Sequence, residues 1–219
     1  MEKTRFLALP VFPDFSVYFA GRDINDLKTE IIRKSIHFLI ALSPSMAAIN
    51  RPLTVAFLMI GTLGYTFMEY LRFSGIRVPV ISSLTCMASR SREVGRFVMG
   101  PITLGMGALL ALLLYPSSVA VIAIYALAFG DGFASLAGKL FGRLRPSFLF
   151  GKSLEGSAAC FTAVFISAWL VSGSPAISVT AAFAATAIEA LPLGDYDNVA
   201  LPLVVCSVIQ LIELFPKLG

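Results

Sequence analysis

Seven runs of apolar residues, separated by short polar connections, make up most of the chain. They cover residues 36–49, 53–71, 97–115, 119–141, 158–171, 177–191 and 199–215. The runs are continuous, which predicts helices and excludes the alternating strands of a membrane β-barrel. A membrane-crossing helix needs about 20 residues. Several runs are shorter, so tilting and helical extension into the headgroup layer are expected. Pro44 predicts a kink in the first run, and residues 26–35 predict its extension toward the N-terminus. The pattern as a whole predicts an all-α, polytopic integral membrane bundle of about seven transmembrane helices.

The start of the chain reads differently. Residues 6–20 are apolar, but Pro10, Pro13 and Asp14 interrupt them and no small-residue cleavage site follows. This argues against a signal peptide, and the stretch is short for a span. Residues 1–29 are read as an interfacial or re-entrant segment, followed by one transmembrane domain over residues 30–219.

Composition agrees with the pattern. The chain has 219 residues, 57% hydrophobic and 14% charged, with a mean hydropathy of +0.84. Soluble domains carry roughly 25% charged residues, so this chain lacks the polar surface to cover a soluble fold. Cys86, Cys160 and Cys206 lie far apart, with neither metal-ligand spacing nor a disulfide framework, and read as buried thiols. Nucleic acid is not expected as a partner; a lipid bilayer is. The pattern is compatible with a monomer or an oligomer.

Placing the charges adds a topology. Lys3, Arg5, Arg22, Lys28, Arg33 and Lys34 precede the first run. Arg72, Arg77, Arg90, Arg92 and Arg96 fill the second connection, and Arg143, Arg145 and Lys152 the fourth, with Lys139 at the helix end before it. The first connection holds only Arg51; the third and fifth hold no basic residue. This alternation predicts a cytoplasmic N-terminus, in the inner membrane if the source is bacterial. The sixth connection falls on the same side yet offers Asp195, Asp197 and Asn198, just after Glu189. An acidic loop among basic ones suits a cation held between protein and phosphate.

The polar groups inside the runs therefore converge on the cytoplasmic side. Asp131 is a carboxylate inside a hydrophobic segment, which marks a functional site. On a helix, Asp131, Ser135, Gly138 and Gly142 share one face; packing through the two glycines is the alternative use of that face. Gly151-Lys152-Ser153 suggests a P-loop, but Pro146 occupies the position of the required first glycine and no strand precedes it. What remains is a glycine-flanked turn with Lys152 and free N–H groups at a helix start, suited to phosphate or to an ordinary cap. Glu155 suits the positive end of that helix, and it could also pair with Lys152 or hold a cation. Glu30, Lys34 and His37 are spaced for one helical face, with Arg33 beside them. These charges could equally set topology, and a lone histidine is commonly a structural hydrogen-bonder. Arg90, Arg92, Glu93 and Arg96 form a basic loop open to phosphates or headgroups.

Four blocks read together resemble the CTP-dependent lipid alcohol kinases: dolichol kinase, phytol and farnesol kinases, and the CTP-using diacylglycerol kinase of fungi. They are Glu30-x-x-Arg33-Lys34-x-x-His37; Arg92-Glu93 with Gly100-Pro101; Asp131-x-x-Ala134-x-x-x-Gly138-x-x-x-Gly142 with Lys152-Ser153-x-Glu155-Gly156-Ser157; and Glu189 with Asp197-Asn198. The third block is also similar to phosphatidate cytidylyltransferase. That enzyme's C-terminal His-Gly-Gly and Asp-Arg-x-Asp pattern is absent here; only Asp195-Tyr-Asp197-Asn198 stands in its place. The chain is also much shorter than dolichol kinases, which favours a smaller relative.

The resemblance implies a transmembrane kinase-like domain that moves the γ-phosphate of CTP to a lipid alcohol, either diacylglycerol or a polyprenol- or phytol-type alcohol. It implies nucleotide binding by Lys152, Ser153, Glu155, Gly156, Lys139, Arg92 and Asn198. Mg²⁺ or another divalent cation is implied at Asp131, Asp197 and Glu189, with Asp131 or Asp197 able to activate the alcohol. Arg33, Lys34 and His37 would support the site. The alternatives are a cytidylyltransferase that makes a CDP-lipid, and a small transporter coupled through Asp131 and Glu189.

Overall fold

The computed structural model describes residues 24–76, 78–79 and 96–214. Every regular element among them is helical. They are α1 (Ile24–Ile40), α2 (Leu42–Phe73), α3 (Gly100–Leu114), α4 (Ser117–Tyr125), a π-helical turn (Ala126–Asp131), α5 (Gly132–Leu140), α6 (Leu154–Ser172), α7 (Pro175–Ala190) and α8 (Asp197–Leu214). Short 3₁₀ turns, Ser147–Leu149 and Gly194–Tyr196, precede α6 and α8. Helix is what apolar runs must form where no water can satisfy backbone groups. Of the interfacial segment expected over residues 1–29, residues 1–23 lie outside the described residues, and residues 24–29 form the start of α1, continuous with residues 30–40.

Four stretches are long and apolar enough to cross a membrane: Leu27–Phe73, Ser117–Leu140, Leu154–Ser172 and Gly194–Leu214. Gly100–Leu114 and Pro175–Ala190 are apolar but shorter. All seven apolar runs are thus helical, while four stretches meet the length criterion.

The first stretch breaks twice, and the first break is the one expected from Pro44: α1 ends at Ile40 and α2 starts at Leu42, in the turn just before the proline. Proline removes the bond that its N–H would give to the carbonyl four residues back. Here the Ser43 hydroxyl donates to that carbonyl, Ile40 O, at 2.8 Å. The second break comes at Asn50, the non-helical residue inside α2 (φ −151°, ψ 94°). Asn50 Oδ1 accepts from the Leu53 N–H at 3.0 Å, capping a new helix whose first turn tolerates Pro52. Tyr65, after the turn, lines the same cavity as Ile36 and His37 before it. The two arms therefore form a hairpin.

Ser117–Leu140 is the central span, with 67% of its window buried against 33% for each of the next two. Its neighbours press in through small residues. Ala108, Ala111, Ala120, Ala123, Ala168, Ala181, Ala182 and Ala185 are fully buried, as expected where helices gain from close approach. At the end of the bundle holding the Asn50 turn, the Arg51 guanidinium donates to the carbonyls of Leu112 and Tyr115. The lone basic residue of that connection is therefore a cap on α3. Cys160 and Cys206 are free and buried.

Candidate functional site

At the opposite end the helices open around a cavity of about 770 Å³. α1 supplies Glu30, Arg33, Lys34 and His37; the central span supplies Asp131, Ser135, Gly138 and Lys139. The loop into α6 supplies Arg145, Lys152 and Ser153, and the α7–α8 connection supplies Glu189, Asp195, Asp197 and Asn198. The first, third and fourth sequence blocks therefore meet in one place, joined by Gly100 and Pro101 of the second.

Asp131 ends the π-helical turn. Such turns are rare and concentrate at functional sites. Its Oδ2 receives the Lys34 ammonium and lies 3.1 Å from His37 Nδ1. Its Oδ1 has only a long contact from the Ser135 hydroxyl, 3.4 Å. The two carboxylate oxygens are thus unequal: one is tied to α1 and the other faces the cavity with spare capacity.

Two further lysines are also paired. Lys139 Nζ is 3.0 Å from Glu30 Oε2, joining α5 to α1. Lys152 Nζ is 2.9 Å from Glu189 Oε1 and also donates to the Glu189 carbonyl oxygen. That places a cation at the C-terminal end of α7, where the helix dipole favours it. Lys152 therefore points inward and does not snorkel. Glu30 is buried too, and it pairs with Arg33 one turn on.

The loop before α6 is held by its own bonds. Glu155 accepts the N–H groups of Arg143 (2.9 Å) and Leu144 (3.2 Å) and stands outside the cavity lining. Arg145 donates to the Gly151 carbonyl at 2.6 Å. Gly151 has φ +87°, a conformation glycine adopts without strain. Ser153 caps α6 by accepting the Gly156 N–H at 3.1 Å. Gly156 brings α6 against α5 so closely that an added Cβ would stand 2.8 Å from the Ala134 carbonyl oxygen. Gly151 thus serves the turn and Gly156 the packing, and together they carry Lys152 to the cavity.

Asn198 donates to Thr103 Oγ1 at 3.0 Å, tying α8 to α3. Its Oδ1, Ser157 Oγ and Glu189 Oε2 are buried at the cavity and have no hydrogen-bond partner among the described residues. Buried polar atoms are nearly always satisfied in proteins, so these three point to a polar ligand. Arg92, Arg90 and Glu93 lie outside the described residues. Among the described residues no three His, Cys, Asp or Glu groups stand close enough to hold a metal by themselves.

The sequence reading leaves two residues unassigned. Tyr65 lines the cavity from α2. Glu69, fully buried on the same helix, accepts from Arg72 (2.7 and 2.6 Å) and from the Val98 N–H (2.8 Å), fixing the entry to α3. The signal for Glu69 was the one that marks Asp131: a carboxylate inside an apolar run.

A protein of Triticum aestivum described as a probable chloroplastic phytol kinase is 30% identical over 157 residues, covering 63% of this chain and 52% of that relative. The chain is similar to a phytol kinase. It spans about half the length of the relative it matches. No known family profile matches the chain, and no solved structure does.

Proposed function

We propose that this protein is a membrane-embedded kinase that transfers the γ-phosphoryl group of CTP to the hydroxyl of a lipid alcohol of the phytol, polyprenol or diacylglycerol kind. One observation carries the reading. Three lysine–carboxylate pairs, Lys34–Asp131, Lys139–Glu30 and Lys152–Glu189, surround a single cavity at one end of a membrane bundle. The likeness to a phytol kinase supports the acceptor class, and the motif resemblance supports CTP. The basic loops favour a cytoplasmic position for this end. Counting the Asn50 turn and the two shorter helices, we read seven crossings.

Phosphoryl transfer needs positioning and charge neutralisation more than covalent help. Lys152, Lys139 and Arg145 would hold the triphosphate, with Ser157 and Asn198 as further hydrogen-bonding groups. The acceptor hydroxyl would lie against Asp131 Oδ1. Its oxygen forms a bond to the γ-phosphorus as the bond to the β–γ bridging oxygen breaks. CDP leaves and the hydroxyl proton passes to Asp131. Lys34 and His37 keep that carboxylate oriented.

A divalent cation such as Mg²⁺ fits the lining. Arg33, Lys34, Lys139, Arg145 and Lys152 are balanced by Glu30, Asp131, Glu189, Asp195 and Asp197. A triphosphate entering alone would leave this near-neutral cavity strongly negative. Magnesium is commonly held by one or two carboxylates plus phosphate oxygens. Asp197, which no lysine or arginine pairs with among the described residues, would hold it with Glu189 nearby. When bound, it supplies neutralisation of the phosphate charge.

The test is purified protein in lipid nanodiscs with CTP or ATP labelled at the γ-position and a panel of lipid alcohols. Labelled lipid phosphate with release of CDP is expected, and Asp131→Asn abolishes it. Release of pyrophosphate and formation of a CDP-lipid would overturn the kinase reading in favour of a cytidylyltransferase.

A further inference from the structure

The cavity has two mouths of opposite chemistry. One lies among the loops, where Arg145, Gly151, Pro192 and Gly194 are exposed. The other lies in the flank of the bundle. Leu39 lines the cavity and is 63% exposed, although it sits on a helix apolar enough to cross a membrane. The wall running inward from it is apolar: Ile36 on α1, and Pro101 and Leu104 on α3, with Tyr65 on α2.

The neighbouring seams are closed, which locates the flank mouth. α1 seals against α5, where the Phe38 ring lies over Gly132 and 5.3 Å from the Phe133 ring. α2 seals against α3, where Thr62 fills the space a Cβ on Gly105 would need. Neither seam can widen without unstacking these contacts. What these seams leave is the flank between the two arms of the α1–α2 hairpin, where Leu39 is both exposed and part of the cavity lining.

Resting on the kinase reading above, we propose that this flank mouth is the acceptor's entrance and that its apolar wall is the subsite for the acceptor's hydrocarbon chain. A long-chain alcohol slides in from the bilayer between α1 and α2. Its tail stays against Ile36, Leu39, Tyr65 and Leu104, and its hydroxyl stops at Asp131. The nucleotide enters through the loop mouth and meets it from the other side. Each further methylene buried along such a wall should tighten binding about fourfold, so affinity should rise with chain length.

Two measurements test this. In the first, Leu39→Trp narrows the mouth, and kcat/KM is compared for phytol and for hexanol. The expected result is a loss for phytol about tenfold or more greater than that for hexanol. Phe183→Trp, on an exposed face of α7 away from the cavity, serves as control and leaves the ratio unchanged. Equal losses for both alcohols, or none, overturn the entrance. In the second, a long-chain alcohol with a photoreactive group in its tail is crosslinked to wild-type protein without nucleotide. Labelling of α1 and α2 peptides is expected. Labelling confined to the apolar groove between α5 and α6, lined by Phe133, Leu136, Ala159 and Ile166, overturns the subsite. The crosslink needs no turnover, so it decides the subsite even if no alcohol is phosphorylated, the outcome that would defeat the kinase reading itself.

Discussion

Replacing Lys34 with methionine separates the stability of the site from its chemistry. The Lys34 side chain is 1% exposed and that of Asp131 is 9%. Lys34→Met keeps the volume and removes the charge, leaving Asp131 buried with only His37 nearby. Breaking a buried pair from one side costs about 3–5 kcal/mol. In a chain of this length each kcal/mol lowers the midpoint by about 2–4 °C, so the fall should be roughly 6–20 °C. Removing both charges should cost far less, because an apolar pair of similar volume commonly replaces a buried ion pair without loss. Lys34→Met/Asp131→Leu should therefore melt within about 3 °C of the parent. The assay is thermal unfolding of purified protein in detergent, followed by tryptophan fluorescence or light scattering, beside CTP-dependent phosphorylation. Both variants should be inactive and only the single one unstable. A single variant that melts like the parent would show that the pair is not a stabilising contact. A double variant as unstable as the single one would refute the argument that stranded charge is the cause.

Two other outcomes follow from the same geometry. Asp197→Asn removes an acid from a charge-balanced cavity, so nucleotide binding in EDTA should tighten about threefold or more while binding in the presence of Mg²⁺ weakens; calorimetry reads both, and loss of the metal-free binding would contradict the balance. Gly156→Ala places a methyl 2.8 Å from the Ala134 carbonyl oxygen and 3.3 Å from Gly138 Cα, both backbone, so α5 and α6 must part at about 1–3 kcal/mol, read as a lower melting midpoint.

Much of the bundle was legible because the bilayer leaves an apolar run little choice. Residues 119–141 became Ser117–Leu140, and residues 177–191 became Pro175–Ala190. Polar residues inside such runs are costly, and so Asp131 and Glu189 could be chosen, whereas Lys152 was legible from the glycine-flanked turn at a helix start. Pro44 announced the break between Ile40 and Leu42, where the Ser43 hydroxyl takes up the carbonyl that proline leaves free. The second break was written as Asn50 followed by Pro52, a cap signature in a connection too short to stand out. Pairing was the least legible level. Lys152 is three residues from Glu155 yet binds Glu189, because Glu155 is occupied by the Arg143 and Leu144 N–H groups. Choices of that kind depend on how helices cross, which spacing along one helix does not encode. The π-helical turn left no mark in composition at all.

That turn at Ala126–Asp131 carries a consequence for how the central helix can change. One residue of an α-helix occupies about 100° of rotation, and a π turn accommodates an extra residue within a continuous helix. The two halves of Ser117–Leu140 are therefore written in different phases. Upstream, nearly every side is buried and apolar; downstream, one side carries Asp131, Ser135 and Gly138 to the cavity. Single substitutions in either half leave this offset untouched, whereas loss of one residue from the turn would bring the halves into register and swing the aspartate's face away from α1. The helix should therefore tolerate no change of length at this one place.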